Sequence, residues 1–154
     1  MAIVRRSALS ALAFAVVVAC GGADDPDAAA ETSASAGATT PTRSVEILSP
    51  ASGDTVQGPS VVVRLQANGF TVVAAGDTTP NSGHHHLFLD RDVSEAGLPI
   101  PIEPGFIVHL GTGTAEYTLE NVPPGEHRLI AVVGDAAHIP LQPLVVDTVR
   151  FVVR

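Results

Sequence analysis

The 154-residue chain has one cysteine and no tryptophan. With Cys20 as the only thiol, no intrachain disulfide can form and a zinc-finger type of thiolate site is excluded. Lacking a cysteine pair and a core tryptophan, the chain is not an antibody-type domain either. Helical patterning is missing as well. From Ser44 to Arg154 no apolar stripe recurs at about 3.6-residue spacing over a helical length. No apolar run reaches the roughly 18 residues of a membrane span. Positive charge is scarce: eight arginines stand against sixteen acids. Loss of a leader carrying Arg5 and Arg6 would leave six against sixteen, a side-chain balance of −10. Such a surface repels a polyanion, so nucleic acid is not an expected partner.

The N-terminus does carry a pattern. A basic start ending in Arg5-Arg6 precedes the nearly polar-free stretch Ser7–Ala19, the form of a secretory signal peptide. It ends Val17-Val18-Ala19-Cys20, which resembles the lipobox of bacterial lipoproteins, with Cys20 as the residue that would be lipidated. Acyl chains there would hold the protein at a membrane, each buried methylene contributing about 0.8 kcal/mol. The expected location is therefore exported and membrane-anchored, in the periplasm, at the outer membrane or on the cell surface. From Gly21 to about Arg43 the chain is small and polar and cannot bury enough surface to offset its ordering entropy. The expected organisation is a signal peptide over 1–19, a disordered tether over 20–43 and one folded domain over 44–154. A folded part of roughly 110 residues is long enough to bury about two-thirds of its surface.

That domain consists of short runs rich in valine and isoleucine, separated by Gly/Pro clusters: SVEIL (44–48), SVVVRLQA (60–67), FTVVAA (70–75), HHHLFLD (84–90), GFIVHL (105–110), TAEYTLE (114–120), EHRLIAVV (126–133) and PLVVDTVRFVV (143–153). These are strand signals. They predict an all-β chain, an immunoglobulin-like β-sandwich of about seven strands in the broad sense.

Six histidines carry the chemistry, three of them side by side in Asn81–Asp90, NSGHHHLFLD. Side chains alternate along a strand. His85, Leu87 and Leu89 therefore share one face, read as core, and His84, His86, Phe88 and Asp90 share the other, read as outward. His84 and His86 would stand about 6.6–6.8 Å apart at Cα, close enough for both rings to reach one ion at about 2.0–2.1 Å. In the strand at 126–133, His127 lies on the Leu129/Ala131/Val133 face, where a hydrogen-bonded ring plugs a core edge. His109 and His138 fall at strand ends or in loops, where scaffolds present functional groups. Neutral imidazoles outside the cytoplasm suit Cu or Zn. Asp90 and Asp135 read as turn and strand-end acids.

Taken together, SPASGDTV near the start, Pro80–Asp90, His109–Glu116 and Pro124–Pro140 resemble the bacterial domain-of-unknown-function family 4399 of exported proteins, over nearly all of 47–153. The resemblance implies that His84, His85, His86, His109, His127, Asp135 and His138 belong to one constellation. Leu141 stands where that family usually has a further histidine, which removes one candidate ligand.

Three readings stay open. The leading one is a lipid-anchored, non-catalytic binding module of the cell envelope that takes Cu or Zn through His84, His86, His109 and His138. In the second, a structural or protein-interaction module, the histidines satisfy one another and an envelope protein is the partner; truncating His85 or His127 should then lower stability. The third is a cupin-like metalloenzyme. His84-x-His86-x3-Asp90-x6-Gly97 approaches the first cupin metal motif with Asp in place of Glu, while Pro123-Pro124-Gly125-Glu126-His127 is one residue short of the second. The His-x-His strand also resembles that of copper–zinc superoxide dismutase, without its other ligands or its disulfide. No nucleophile elbow, phosphate loop or paired-carboxylate site is present.

Overall fold

The computed structural model describes residues 42–154; the signal-peptide reading, Cys20 and nearly all of the tether lie outside them. Among the described residues every regular element is a strand: β1 Ser44–Ser49, β2 Thr55–Val56, β3 Val61–Asn68, β4 Thr71–Val72, β5 Ser82–Leu89, β6 Ile107–Leu110, β7 Glu116–Leu119, β8 Gly125–Gly134 and β9 Val146–Val153. Two sheets face each other. One has three strands in the order β1-β3-β7, and the other runs β2-β9-β8-β5-β4 with β6 also on β5. The sequence-based reading of a β-sandwich holds. Nine strands replace about seven: two-residue β2, outside every predicted run, pairs parallel with β9, and the run FTVVAA (70–75) forms only the two-residue β4, parallel to β5. β2 lies inside the turn-rich segment after β1, where Ser, Gly and Pro hide so short a pairing from any periodicity.

The two sheets bury their strands differently, and the sequence shows why. In β1 and β3 buried and exposed residues alternate, with Val45, Ile47, Val61, Val63 and Leu65 inward. These strands have one wet face. β5 and β8 instead carry nearly continuous apolar runs, Leu87–Leu89 and Leu129–Val133, and are buried along most of their length. A strand reads this way when both of its faces are covered. On the inner face, Leu87, Leu89, Leu129, Ala131 and Val133 meet β1 and β3 residues in the main core, with Phe151 and Val153 of β9. On the outer face, Phe88, Ile130 and Val132 pack with Ile100 and Ile107 into a second apolar cluster.

This second cluster corrects the strand-face reading. Alternation does put His84, His86 and Phe88 together, but their face is not outward: all three are buried. The segment between β5 and β6 folds back over that side of the sheet and contributes Ile100, with Val93 packed against the cluster. Its path is held by Arg91, whose guanidinium lies 3.8 Å above the Phe106 ring and donates to Glu103 at 2.6 and 2.9 Å. Asp90 alone of the four behaves as the alternation predicts and is exposed.

Because Phe88 is fully buried beneath this cover, Phe88→Ala should lower unfolding stability by about 3–5 kcal/mol. Val62→Ala, on the wet face of β3, should change it by less than about 0.5 kcal/mol. Denaturant midpoints measure both. Equal small effects would mean that the outer cover is not packed.

Candidate metal centre

Four imidazoles meet on the outer face of the larger sheet. β5 supplies His84 and His86 on one side of the strand; β6, antiparallel to β5, places His109 directly opposite His86. These two rings stack at 5.0 Å and 23°. The fourth arrives from the loop after β8. That loop is closed by a bridge between Gly134 and Pro140, and Asp135 Oδ1 accepts from the backbone N–H of both Ala137 and Ile139 at 2.9 Å. His138 sits in the left-handed region at φ 65°, its N–H bonded to the Asp135 carbonyl and its carbonyl accepting from Ile100 N–H at 2.8 Å. Asp135 therefore shapes the turn that presents His138.

The ring nitrogens face one another. One nitrogen each from His84, His109 and His138 lies within 4.8 Å of the other two. His86 Nε2 is 3.1 Å from His84 Nε2, and His138 Nε2 is 3.2 Å from His109 Nε2. Bonds of about 2.0–2.1 Å imply N···N edges of about 2.9 Å in a square-planar site and about 3.3 Å in a tetrahedral one. Both observed edges fall in that interval. The cluster could hold a metal ion. His84 and His86 are fully buried while His109 and His138 are partly exposed, so the site opens to solvent on the side of the latter pair.

Burial also sets the charge state. It pushes the His84 imidazole down to about 4, with the nearby His109, His138 and His85 adding to the effect and Asp135 opposing it. His86 is held at about 3, again chiefly by burial and then by His84, His109, His138 and His85. His109 is lowered by burial and by His138. Packed cations would repel one another in a site with little water to screen them. At neutral pH His84 and His86 are therefore uncharged. The facing Nε2 atoms of His84 and His86 then share a single hydrogen, which a cation would have to displace to reach both lone pairs. Nδ1 of His84 and Nδ1 of His86 meet no hydrogen-bonding group among the described residues. The outer-shell acceptor that usually orients a ligating histidine is thus absent from the two deep rings.

His85 and His127 do not join them. His85 points to the opposite face of β5, edge-on to Phe70 at 6.3 Å, with neither ring nitrogen bonded; burial lowers it to about 4. His127 lies at the far end of β8. Its Nε2–H donates to the Pro123 carbonyl at 2.8 Å, and its Nδ1 faces the Asp90 carboxylate at 2.7 Å. Asp90 also accepts from Arg128 N–H through Oδ1 at 2.8 Å, so this acid and this ring lock the β5 exit to β8. The single constellation of six histidines implied by the family resemblance divides into four together, one in the core and one at the far end. The histidine that a cupin-like second motif needs is thus the one placed far from His84 and His86. Sequence reading missed Gly111 and Gly134, which sit against the His109 and His86 rings.

Fold and cluster together define an all-β sandwich with an internal imidazole cluster on one sheet. The chain belongs to the family described as Domain of unknown function (DUF4399), whose model matches residues 63–154 and so includes all six histidines. No curated protein matches it. A crystal structure of an engineered protein aligns at 17% identity and a TM-score of 0.42, over 73% of this chain and 20% of its own. The chain thus spans about a fifth of that structure's length.

Stability should follow pH with a definite sign. Below the ordinary value of 6.5 the unfolded chain takes up protons that folded His84, His85 and His86 refuse. Stability of the metal-free protein is then greatest above pH 6.5 and is lost as pH falls towards 4, by up to about 1.4 kcal/mol per pH unit for each histidine. Urea unfolding across that range checks it, and a flat profile would refute it. His85 should contribute by packing alone. His85→Leu, which removes two unbonded nitrogens, is expected to be as stable as the native chain or more so, and His85→Ala to be less stable by about 2 kcal/mol or more. Thermal melts of the two variants would rule this out if leucine were the more damaging.

Proposed function

We propose that this protein is a non-catalytic, transition-metal-binding module of the cell envelope, anchored through a lipid on Cys20. Cu or Zn is bound by His84, His109 and His138, with His86 as the fourth imidazole. The observation that carries this reading is the gathering of imidazole nitrogens from three separate segments within 4.8 Å, with Nε2–Nε2 edges of 3.1 and 3.2 Å that match the ligand spacing around a single ion. Neutral imidazoles suit Zn and Cu, and an all-nitrogen set without carboxylate or thiolate disfavours the hard oxygen-seeking cations. Occupation by four rings leaves no position for a reacting water, which supports capture over catalysis. The lipobox-like Ala19-Cys20 and the acidic composition support an exported, membrane-tethered setting.

A second reading, a structural or protein-interaction module, has its own supporting observation in the bonds of His127 to Asp90 and Pro123, which act purely in the fold. The two readings separate on titration. Calorimetry of the metal-free protein with Zn(II) and Cu(II) is expected to show one site per chain. His84→Ala, His109→Ala and His138→Ala should each weaken it by more than the roughly 10–100-fold that loss of an outer-shell partner causes, and the His84→Ala/His86→Ala double variant should abolish it. Unchanged affinity in that double variant would end the metal reading. His138→Gly is a further discriminator. Glycine adopts the left-handed backbone of residue 138 without strain, so the variant should melt no lower than the native chain while losing the metal.

A further inference from the structure

We infer that Gly111 and Gly134 are positioning residues of the histidine cluster: the missing side chains at these two positions are what allow the His109 and His86 rings to turn inward. The functional consequence rests on the metal-binding reading above; the positioning itself does not.

One common reason for glycine does not apply here. Neither residue has a positive φ, so alanine would fit the backbone at both. Gly134 is also the last residue of β8, and glycine in a strand weakens it, marking places where another group must come close. That group is visible in both cases. A β-carbon on residue 111 would overlap the His109 ring, meeting Cε1 at less than contact distance, Nε2 at 2.7 Å and Nδ1 at 3.1 Å. On residue 134 it would press on His86 at Nε2, 3.1 Å, and Cδ2, 3.2 Å, with Ile100 Cδ1 at 3.5 Å behind. In each case Nε2, the nitrogen that faces another histidine, is among the atoms displaced. His109 is a partly exposed side chain on a short strand beside the solvent, so its ring can swing out at little cost to the fold. His86 is fully buried and has no such exit. The two glycines should therefore fail differently: Gly111→Ala expels one ring from an intact domain, whereas Gly134→Ala strains the packed side of the site.

The test compares the native chain with Gly111→Ala, His109→Ala and the Gly111→Ala/His109→Ala double variant, by Zn(II) calorimetry and thermal melting. Gly111→Ala should keep the native melting temperature in the absence of metal and bind Zn(II) at least tenfold more weakly. In the His109→Ala background it should have no further effect, because the ring it displaces is gone. A proton NMR arm without metal reads the positioning directly: the contact between the His109 and His138 rings, centroids 4.6 Å apart, should vanish in Gly111→Ala. Persistence of that contact, or native Zn(II) affinity in Gly111→Ala, overturns the inference. If the native chain takes up no Zn(II) or Cu(II) at all, the metal reading falls by itself, and the NMR contact still decides whether Gly111 positions His109.

Discussion

Everything distinctive in this molecule depends on the double coverage of β5 and β8. A sheet in a sandwich needs only one dry face, and the smaller sheet here keeps to that rule, with Val61, Val63 and Leu65 inward and their neighbours in water. The larger sheet carries apolar side chains on both faces, so something must cover the second one. The segment after β5 does so, and Phe88, Ile100, Ile107, Ile130 and Val132 form the cluster beneath it. His84 and His86 share the face of Phe88 and are taken out of water with it.

That desolvation has chemical consequences. An imidazole in water is partly protonated near neutral pH and its cationic form is freely hydrated; the same ring under the β5–β6 cover cannot hold a proton cheaply. Several such rings in contact reinforce the effect, since charge on one disfavours charge on the next. The outcome is that the two deep rings, His84 and His86, stay neutral at neutral pH. The backbone that carries the rings is tied down at several points. A strand, a ladder partner and a loop clamped by Asp135 each deliver a ring from a separately bonded stretch of backbone. The remaining two histidines show the other use of the same residue: His127 ties β8 to Asp90 and Pro123, and His85 fills core volume without a polar partner.

How much could be read beforehand differs from element to element. SVEIL and SVVVRLQA became one-sided strands as their alternation predicts. RLIAVV carried the information that β8 is covered twice, since five consecutive apolar residues cannot all point one way. HHHLFL carried it less plainly, because histidine is tolerated both in water and inside. β2 was illegible, being too short to show a period, while β4 keeps only two residues of the FTVVAA run. At the site, His84 and His86 could be paired by counting, because their spacing equals the strand repeat. The sorting of His85 and His127 away from the cluster, despite a shared family pattern, could not be read from motif order. Gly111 and Gly134 were silent for another reason: a glycine beside a turn or strand end suggests backbone conformation, and only coordinates reveal the ring lying against it.

By itself the sequence determined the local terms: strand class and a β-sandwich over the described residues, exclusion of a thiolate site there, and the common face of His84 and His86. All of these follow from residue type and a two-residue period, which act over short stretches of chain. Tertiary structure alone decided that this face is interior, that His109 and His138 meet it there, and that the other two histidines do not. Those outcomes depend on which strands become neighbours and on the path of the β5–β6 segment. Both are set by the packing of distant apolar groups, which no local spacing encodes.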